Sequence, residues 1–459
     1  MDSRQSDEST ERFSAYLDEL ASVMGHAARI GPMRDYCTGL LLSCERKSVE
    51  PIAAATAPAA ASAQHQSLLH FLAQGEWSDA AVLGKVRDQV LPQIERHGAI
   101  EVWAVDDTGF PKYGSHSVGV SHQYCGQVGK QTNCQIAVSL SIANHQASLP
   151  VAYQLYLPEK WADDADRRKK AGVPKDITFA TKPKMALRHI EWACKIGLPR
   201  GVVLADAGYG HDLSLRKRLT ELGLTYCVGI RGTTLVCGTT HKAEPMNAAK
   251  IAATLPNRGW RTIAWRDGTN TPLSSRFQRV RVRVSGDGTT GAEPEEWLLV
   301  EWPKREKEPT KFWLSTLPET TGFVRMIDIT MMRWRIERDY HELKQEVGLG
   351  DFEGRGWRGF HHHATMCIAA YGFLISERGA FPPLRTSIRT SLPRLCPSRR
   401  LPTPRLPRSG LSDMFPTRLQ PCAYASTSAS SQPCRAARAV PDQPPRNVDA
   451  GTCDTVQLA

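Results

Sequence analysis

The stretch from residue 99 to 231 constrains this chain most, because its hydrophobic period changes once and in one direction. Three strand-like runs come first: Glu101-Val-Trp-Ala-Val-Asp-Asp107, Cys134-Gln-Ile-Ala-Val-Ser-Leu-Ser-Ile142, and Leu149-Pro-Val-Ala-Tyr-Gln-Leu-Tyr-Leu157 after a turn at Ala143-Asn-His-Gln146. A helical segment over about Lys184 to Ile196 then leads into Gly201-Val-Val-Leu-Ala-Asp206. A second helix near Leu213 to Leu222 precedes a strand from Thr225 to Ile230. Consecutive strands pair antiparallel, whereas strand–helix alternation makes parallel neighbours. The pattern predicts an α/β domain, a mixed sheet flanked by helices.

The flanks read differently. Residues 1–98 are helical: Phe13, Leu17, Leu20 and Met24 share one face, as do Val82, Val86 and Val90 behind a Ser78 N-cap. The Ala-rich stretch Ile52 to Gln64, interrupted by Pro58, reads as a linker or frayed helix. Residues 232–320 return to strands, at Trp260–Trp265, Phe277–Ser285, Trp297–Trp302 and Lys311–Leu317, with a turn at Gly286-Asp-Gly288. A helix of about twenty residues, Ile327 to Val347, opens the segment 321–380.

The expected domains are therefore a helical N-terminal unit (1–98), the first part of an α/β core (99–231), a β-strand insertion (232–320), the rest of the core (321–380) and a tail (381–459). The tail holds 13 of the 30 prolines and has no lysine or glutamate. Its eleven arginines against four aspartates supply +7 of the net charge of +11. Such a segment cannot easily pack a core and reads as disordered; an out-of-frame stretch of a GC-rich gene would have this composition. Bulk basicity is thus a weak pointer to polyanions, since residues 1–380 carry only the remaining +4.

Chemistry points more firmly. Asp106 and Asp107 end the first strand, Asp206 ends the fourth, and Glu337 lies in Arg333-Trp-Arg-Ile-Glu-Arg-Asp-Tyr-His-Glu-Leu-Lys344. Carboxylates from two strand ends and one packed helix can converge on hard divalent cations, which take oxygen ligands and leave positions open for phosphate. Two such ions about 3.5–4 Å apart activate water or a 3′-hydroxyl and stabilise the leaving oxygen. Arg333, Glu337, His341 and Lys344 share one helix face, while Asp339 and Glu342 point elsewhere. Either Asp106 or Asp107 can supply the first acid, because neighbouring strand residues face opposite sides.

These residues resemble those of DDE-type insertion-sequence transposases, whose catalytic core is ribonuclease H-like. Arg333, Glu337 and Lys344 fit the helix signature Tyr-x2-Arg-x3-Glu-x6-Lys, with Thr330 in the tyrosine position. Asp106-Asp-Thr-Gly-Phe-Pro-Lys112, Ser117-Val-Gly-Val120, Tyr124-Cys-Gly126, Leu157-Pro-Glu-Lys-Trp161 and Ala171-Gly-Val-Pro174 resemble one branch of the family, and the likeness spans about residues 10–380. It implies a ribonuclease H-like mixed sheet with a β-strand insertion, two Mg²⁺ or Mn²⁺ ions, and Asp107, Asp206 and Glu337 as their ligands. Asp107 is preferred there because the family's acid precedes a threonine, here Thr108; Asp106, Arg333 and Lys344 support the set. The resemblance also implies duplex DNA partners (terminal inverted repeats and target), binding of the repeats by the N-terminal helices, a homodimer on DNA, and a bacterial cytoplasmic, nucleoid-associated location.

Lys112 and the alternating Arg279, Arg281 and Arg283 are the expected phosphate contacts, with Trp297 or Trp302 stacking on an unpaired base. A second reading, a catalytically decayed or repurposed transposase that only binds DNA, draws on Thr330 and the tail.

Other classes are set aside. Met366–Ile375, the longest apolar run, is too short to span a membrane, and the polar N-terminus reads as no secretory signal. Twelve scattered cysteines without a Cys-x-x-Cys pair read as reduced intracellular thiols. Gly126 to Gln131 lacks the spacing of a phosphate-binding loop. His361-His-His363 reads as a polar patch near DNA rather than a metal site.

Overall fold

The structure, a computed structural model, describes residues 3–239, 244–266, 272–284 and 294–381. The turn expected at Gly286-Asp-Gly288 and the tail beyond Phe381 lie outside the described residues.

The N-terminal region folds into α1 (Ser3–Ala21), α2 (Ile30–Leu41), α3 (Val49–Thr56), α4 (Ala61–Ala73) and α5 (Asp79–Glu95). Ser78 caps α5 by accepting the Ala81 N–H, which satisfies one of the unpaired donors of the first turn. Of the two readings of Ile52 to Gln64, linker or frayed helix, the structure has the helical one, as two helices broken at Pro58, because a proline ring cannot continue a helix but can start the next turn.

Next come β1 (Val102–Pro111), β2 (Ser121–Cys125), β3 (Lys130–Ala143), β4 (Ser148–Leu155), α6 (Glu159–Ala162), α7 (Ala165–Ala171) and α8 (Lys182–Lys195). They are followed by β5 (Val202–Ala205), α9 (Ala207–Gly210), α10 (Leu213–Glu221) and β6 (Tyr226–Ile230). In the order β4-β3-β1-β5-β6, β1 pairs antiparallel with β3 and parallel with β5, and β5 pairs parallel with β6. This is the ribonuclease H-like mixed sheet.

The sheet does not stop at β6. The later strands are β7 (Leu235–Gly238), β8 (Met246–Asn247), β9 (Arg261–Arg266), β10 (Leu273–Val284), β11 (Glu295–Trp302) and β12 (Lys311–Ser315), with α11 (Ala248–Thr254) among them. They join edge to edge through β12 on β6, all antiparallel, giving one twelve-stranded sheet.

The chain closes with α12 (Phe323–Met331), α13 (Trp334–Gln345) and α14 (Trp357–Ala380). The single helix expected over 327–347 is thus two, broken at Met332-Arg333. His362 and His363 are 2% exposed inside α14, where their rings bond backbone carbonyls of Leu72, Trp77 and Gly348. The expected polar patch is therefore core: the histidines replace water with fixed acceptors. One buried apolar cluster runs from Phe13 to Ile375, and α5 packs along α14. No helix among the described residues is long and apolar enough to cross a membrane.

Candidate active site

The site begins where two parallel strands part. β5 pairs with β1 only as far as Ala104 opposite Leu204, and ends at Ala205. Continued for two more residues, that register sets Asp106 alongside Asp206. β1 itself runs on to Pro111, held by β3, so the two aspartates lie within the strand rather than at its end, opposite Ser139 and Val138. The difference arises because the apolar run stops at Val105 while backbone pairing continues.

Asp206 leaves β5 and caps α9, its Oδ1 accepting the N–H groups of Gly208 at 2.8 Å and Tyr209 at 3.4 Å. That turn presses on β6. A Cβ on Gly210 would stand 2.1 Å from the Gly229 carbonyl oxygen, so no other residue fits.

Helix α13 lies over β1 on the face that Ala104 shares with Ile336 and Tyr340. The Tyr340 hydroxyl bonds the Asp106 carbonyl at 3.0 Å and the Ser139 hydroxyl at 2.7 Å. About two turns earlier, Arg333 Nη1 donates to Asp106 Oδ2 at 2.7 Å, and its Nη2 pairs with Glu337. Further along, Lys344 Nζ donates to the Gly109 carbonyl at 2.7 Å and to Gln127 Oε1 at 2.9 Å.

The environments differ. Burial pushes the Asp106 carboxyl up to about 7; Arg333 opposes this and Asp206 and Asp107 add to it. Burial lowers the Lys344 ammonium to about 8. The Glu337 side chain, by contrast, is 49% exposed.

The structure thus gathers Asp106, Asp206 and Glu337 around Arg333. Asp107 turns the other way, its Oδ2 accepting the Tyr209 hydroxyl at 3.1 Å and pairing with Lys182 Nζ at 3.0 Å. Asp339 and Glu342 are buried away from it, bonded to Ser148, Tyr371, Arg338 and Arg378. Thr330, in the signature's tyrosine position, bonds the Met326 carbonyl and the Cys227 thiol in the core.

The expected DNA contacts have protein partners. Lys112 donates to the Phe352 carbonyl at 2.7 Å. On β10, Arg279 donates to the Thr321 carbonyl, Arg281 to the Glu295 carbonyl and Arg283 to the Glu295 carboxylate. The Arg279 guanidinium stacks 4.1 Å from the Trp297 ring centre, and that of Arg276 3.7 Å from Trp302. Sequence reasoning missed Tyr340, Tyr209, Gln127 and Lys182. Tyr340 alone carried a signal, lying three residues after Glu337 on the same helix face.

Carboxylate oxygens suit hard divalent cations, so the donor chemistry fits. Among the described residues no three Asp, Glu, His or Cys side chains already stand within ligation range of one point; Arg333 sits between Asp106 and Glu337.

The sequence matches two family descriptions: DDE superfamily endonuclease over residues 19–272, and transposase DDE domain over residues 184–373. It is also 28% identical over 291 residues to a probable transposase for insertion sequence element IS701 from Microchaete diplosiphon, covering 62% of this chain and 68% of that protein.

Proposed function

The chain belongs to the DDE superfamily of endonucleases, among the insertion-sequence transposases, and from this premise we propose that it cuts and joins DNA at the ends of its own element in a metal-dependent reaction. The observation that carries the proposal is the junction at Arg333, where acids from β1 and α13 meet one guanidinium beside the end of β5.

Asp206, Glu337 and one strand aspartate are the cation-holding acids. Asp106 takes the strand position by register and by its shared arginine; Asp107, the residue the resemblance assigns, is the competing placement. Two divalent cations, Mg²⁺ or Mn²⁺, when bound would supply an activated nucleophile and offset charge on the leaving oxygen. The protein's own part is positional. Tyr340 fixes α13 to β1 and β3, Arg333 neutralises the acids before DNA arrives, and Lys344 ties α13 to the β2–β3 turn.

The N-terminal helices bind the terminal repeats, Arg279, Arg281, Arg283 and Lys112 contact phosphates, and two copies join the two ends in the bacterial cytoplasm. The test is cleavage of a labelled terminal-repeat duplex in Mg²⁺ by the full chain, by a chain ending at Phe381, and by Glu337→Gln. Cleavage by the first two but not the third supports the reading. Binding without cleavage in every case favours a DNA-binding protein instead.

A further inference from the structure

Lys182 is the first residue of α8, behind Thr181, whose Oγ1 accepts the Lys184 N–H at 3.4 Å, and ahead of Pro183. Cap and proline hold the backbone there, so only the side-chain stem is free to swing. Its Nζ lies 3.0 Å from Asp107 Oδ2, with the two side chains 31% and 26% exposed. Asp107 is steadied from another side by the Tyr209 hydroxyl at 3.1 Å, and Tyr209 belongs to the turn capped by Asp206.

The other basic groups of the site are more fully engaged. Arg333 is shared between Asp106 and Glu337, and Lys344 is tied to a carbonyl and to Gln127. Lys182 differs: it is part-exposed, on a flexible stem, and paired with an acid that points away from Glu337.

We infer that Lys182 is a positioning residue of this site, parked on Asp107 in the free protein and transferred to a backbone phosphate when a DNA end enters. The inference rests on the transposase reading. A backbone phosphate lies in the field of a whole polyanion and gives up condensed counterions when an ammonium meets it, a gain that a single part-exposed carboxylate does not offer, and a lysine, as a point charge on four methylenes, can change partners without losing a planar fork. Asp107 and Tyr209 then act as the cradle that keeps Lys182 near the acids until DNA displaces it.

The test uses the full chain with Lys182→Met, Lys182→Arg and Asp107→Asn, reading the salt dependence of binding to a terminal-repeat duplex beside Mg²⁺-dependent cleavage. Lys182→Met should flatten the log–log salt slope by about 0.9, the loss of one phosphate contact. It should also slow cleavage at least tenfold. Lys182→Arg, which keeps the charge, should restore the slope. Asp107→Asn should tighten binding about two- to fivefold at low salt, the range of a part-exposed ion pair. A Lys182→Met chain with the wild-type slope overturns the inference, as does Asp107→Asn binding more weakly than wild type. Wild type that neither binds nor cuts the duplex overturns the transposase reading itself, and is told apart by that control.

Discussion

Arg333 Nη1 stands 2.7 Å from Asp106 Oδ2, joining a helix and a strand that are 227 residues apart in the chain. The same guanidinium holds Glu337, so one side chain sets the spacing of two proposed catalytic acids. Removing it leaves Asp106 buried beside Asp206 and Asp107 without a counter-charge. Loss of a nearby cation favours the neutral carboxyl, so in Arg333→Ala the Asp106 value rises from about 7 and the group carries its proton at neutral pH. Carboxyl-carbon NMR titration checks this; an unmoved or lowered value counts against the pairing. Arg333→Lys should move it less.

Replacing the acids by their amides separates chemistry from binding. Asp206→Asn and Glu337→Gln should lower cleavage by about 10³-fold or more while terminal-repeat binding changes by less than about threefold. Asp106→Asn should match them, and Asp107→Asn should fall short by about tenfold or more. The reverse ranking of the two strand variants, in the same cleavage assay, moves the catalytic role to Asp107.

Stability should fall on mild acidification. Burial lowers His361, His362 and His363 to about 4 from an ordinary 6.5, so the unfolded chain takes up protons first as pH drops. Their contribution is whole above about 6.5 and drains away between 6.5 and 4. The loss is about 2 kcal/mol per histidine at pH 5. Urea midpoints at pH 7 and pH 5 measure it, and His363→Gln should shrink the difference; an equal pH effect in that variant would refute the assignment.

Helix α1 is fastened to α14 through a buried acid. Glu377, 4% exposed at its side chain, accepts Arg12 Nε at 2.8 Å, Arg12 Nη2 at 2.7 Å and the Ser9 hydroxyl at 3.1 Å. Arg12→Ala strands that charge and should cost about 2–3 kcal/mol in chemical denaturation. Adding Glu377→Gln should recover part of the loss, since the uncompensated charge goes with it; a strictly additive double variant would show that the pair is not coupled.

Much of the architecture could be read from the chain. The strand runs at 101–107, 134–142 and 149–157, then strand–helix alternation to Ile230, correspond to β1, β3, β4, β5 and β6 within a few residues. Strand β2 was missed because Ser121-His-Gln-Tyr-Cys125 has no apolar run; it is made by pairing with β3. The break between α12 and α13 was invisible because the periodicity continues through Met332, whose backbone N–H bonds the carbonyls of Asp328 and Ile329.

The amino-acid pattern alone set the main strands and helices of the core and brought forward four carboxylates, since period and residue type are local properties that survive without a fold. Which of those carboxylates turn to the same side is a matter of register. The offset of β1 against β5 aligns Asp106 with Asp206, and the pleat turns Asp107 toward Tyr209 and Lys182. Register is chosen by pairing across long loops, which no window of sequence contains. The same holds for the histidines of α14: as a string they look solvated, and only tertiary packing makes them core, α4 and the loop before α5 against His362, and Tyr36 of α2 and Gly348 against His363.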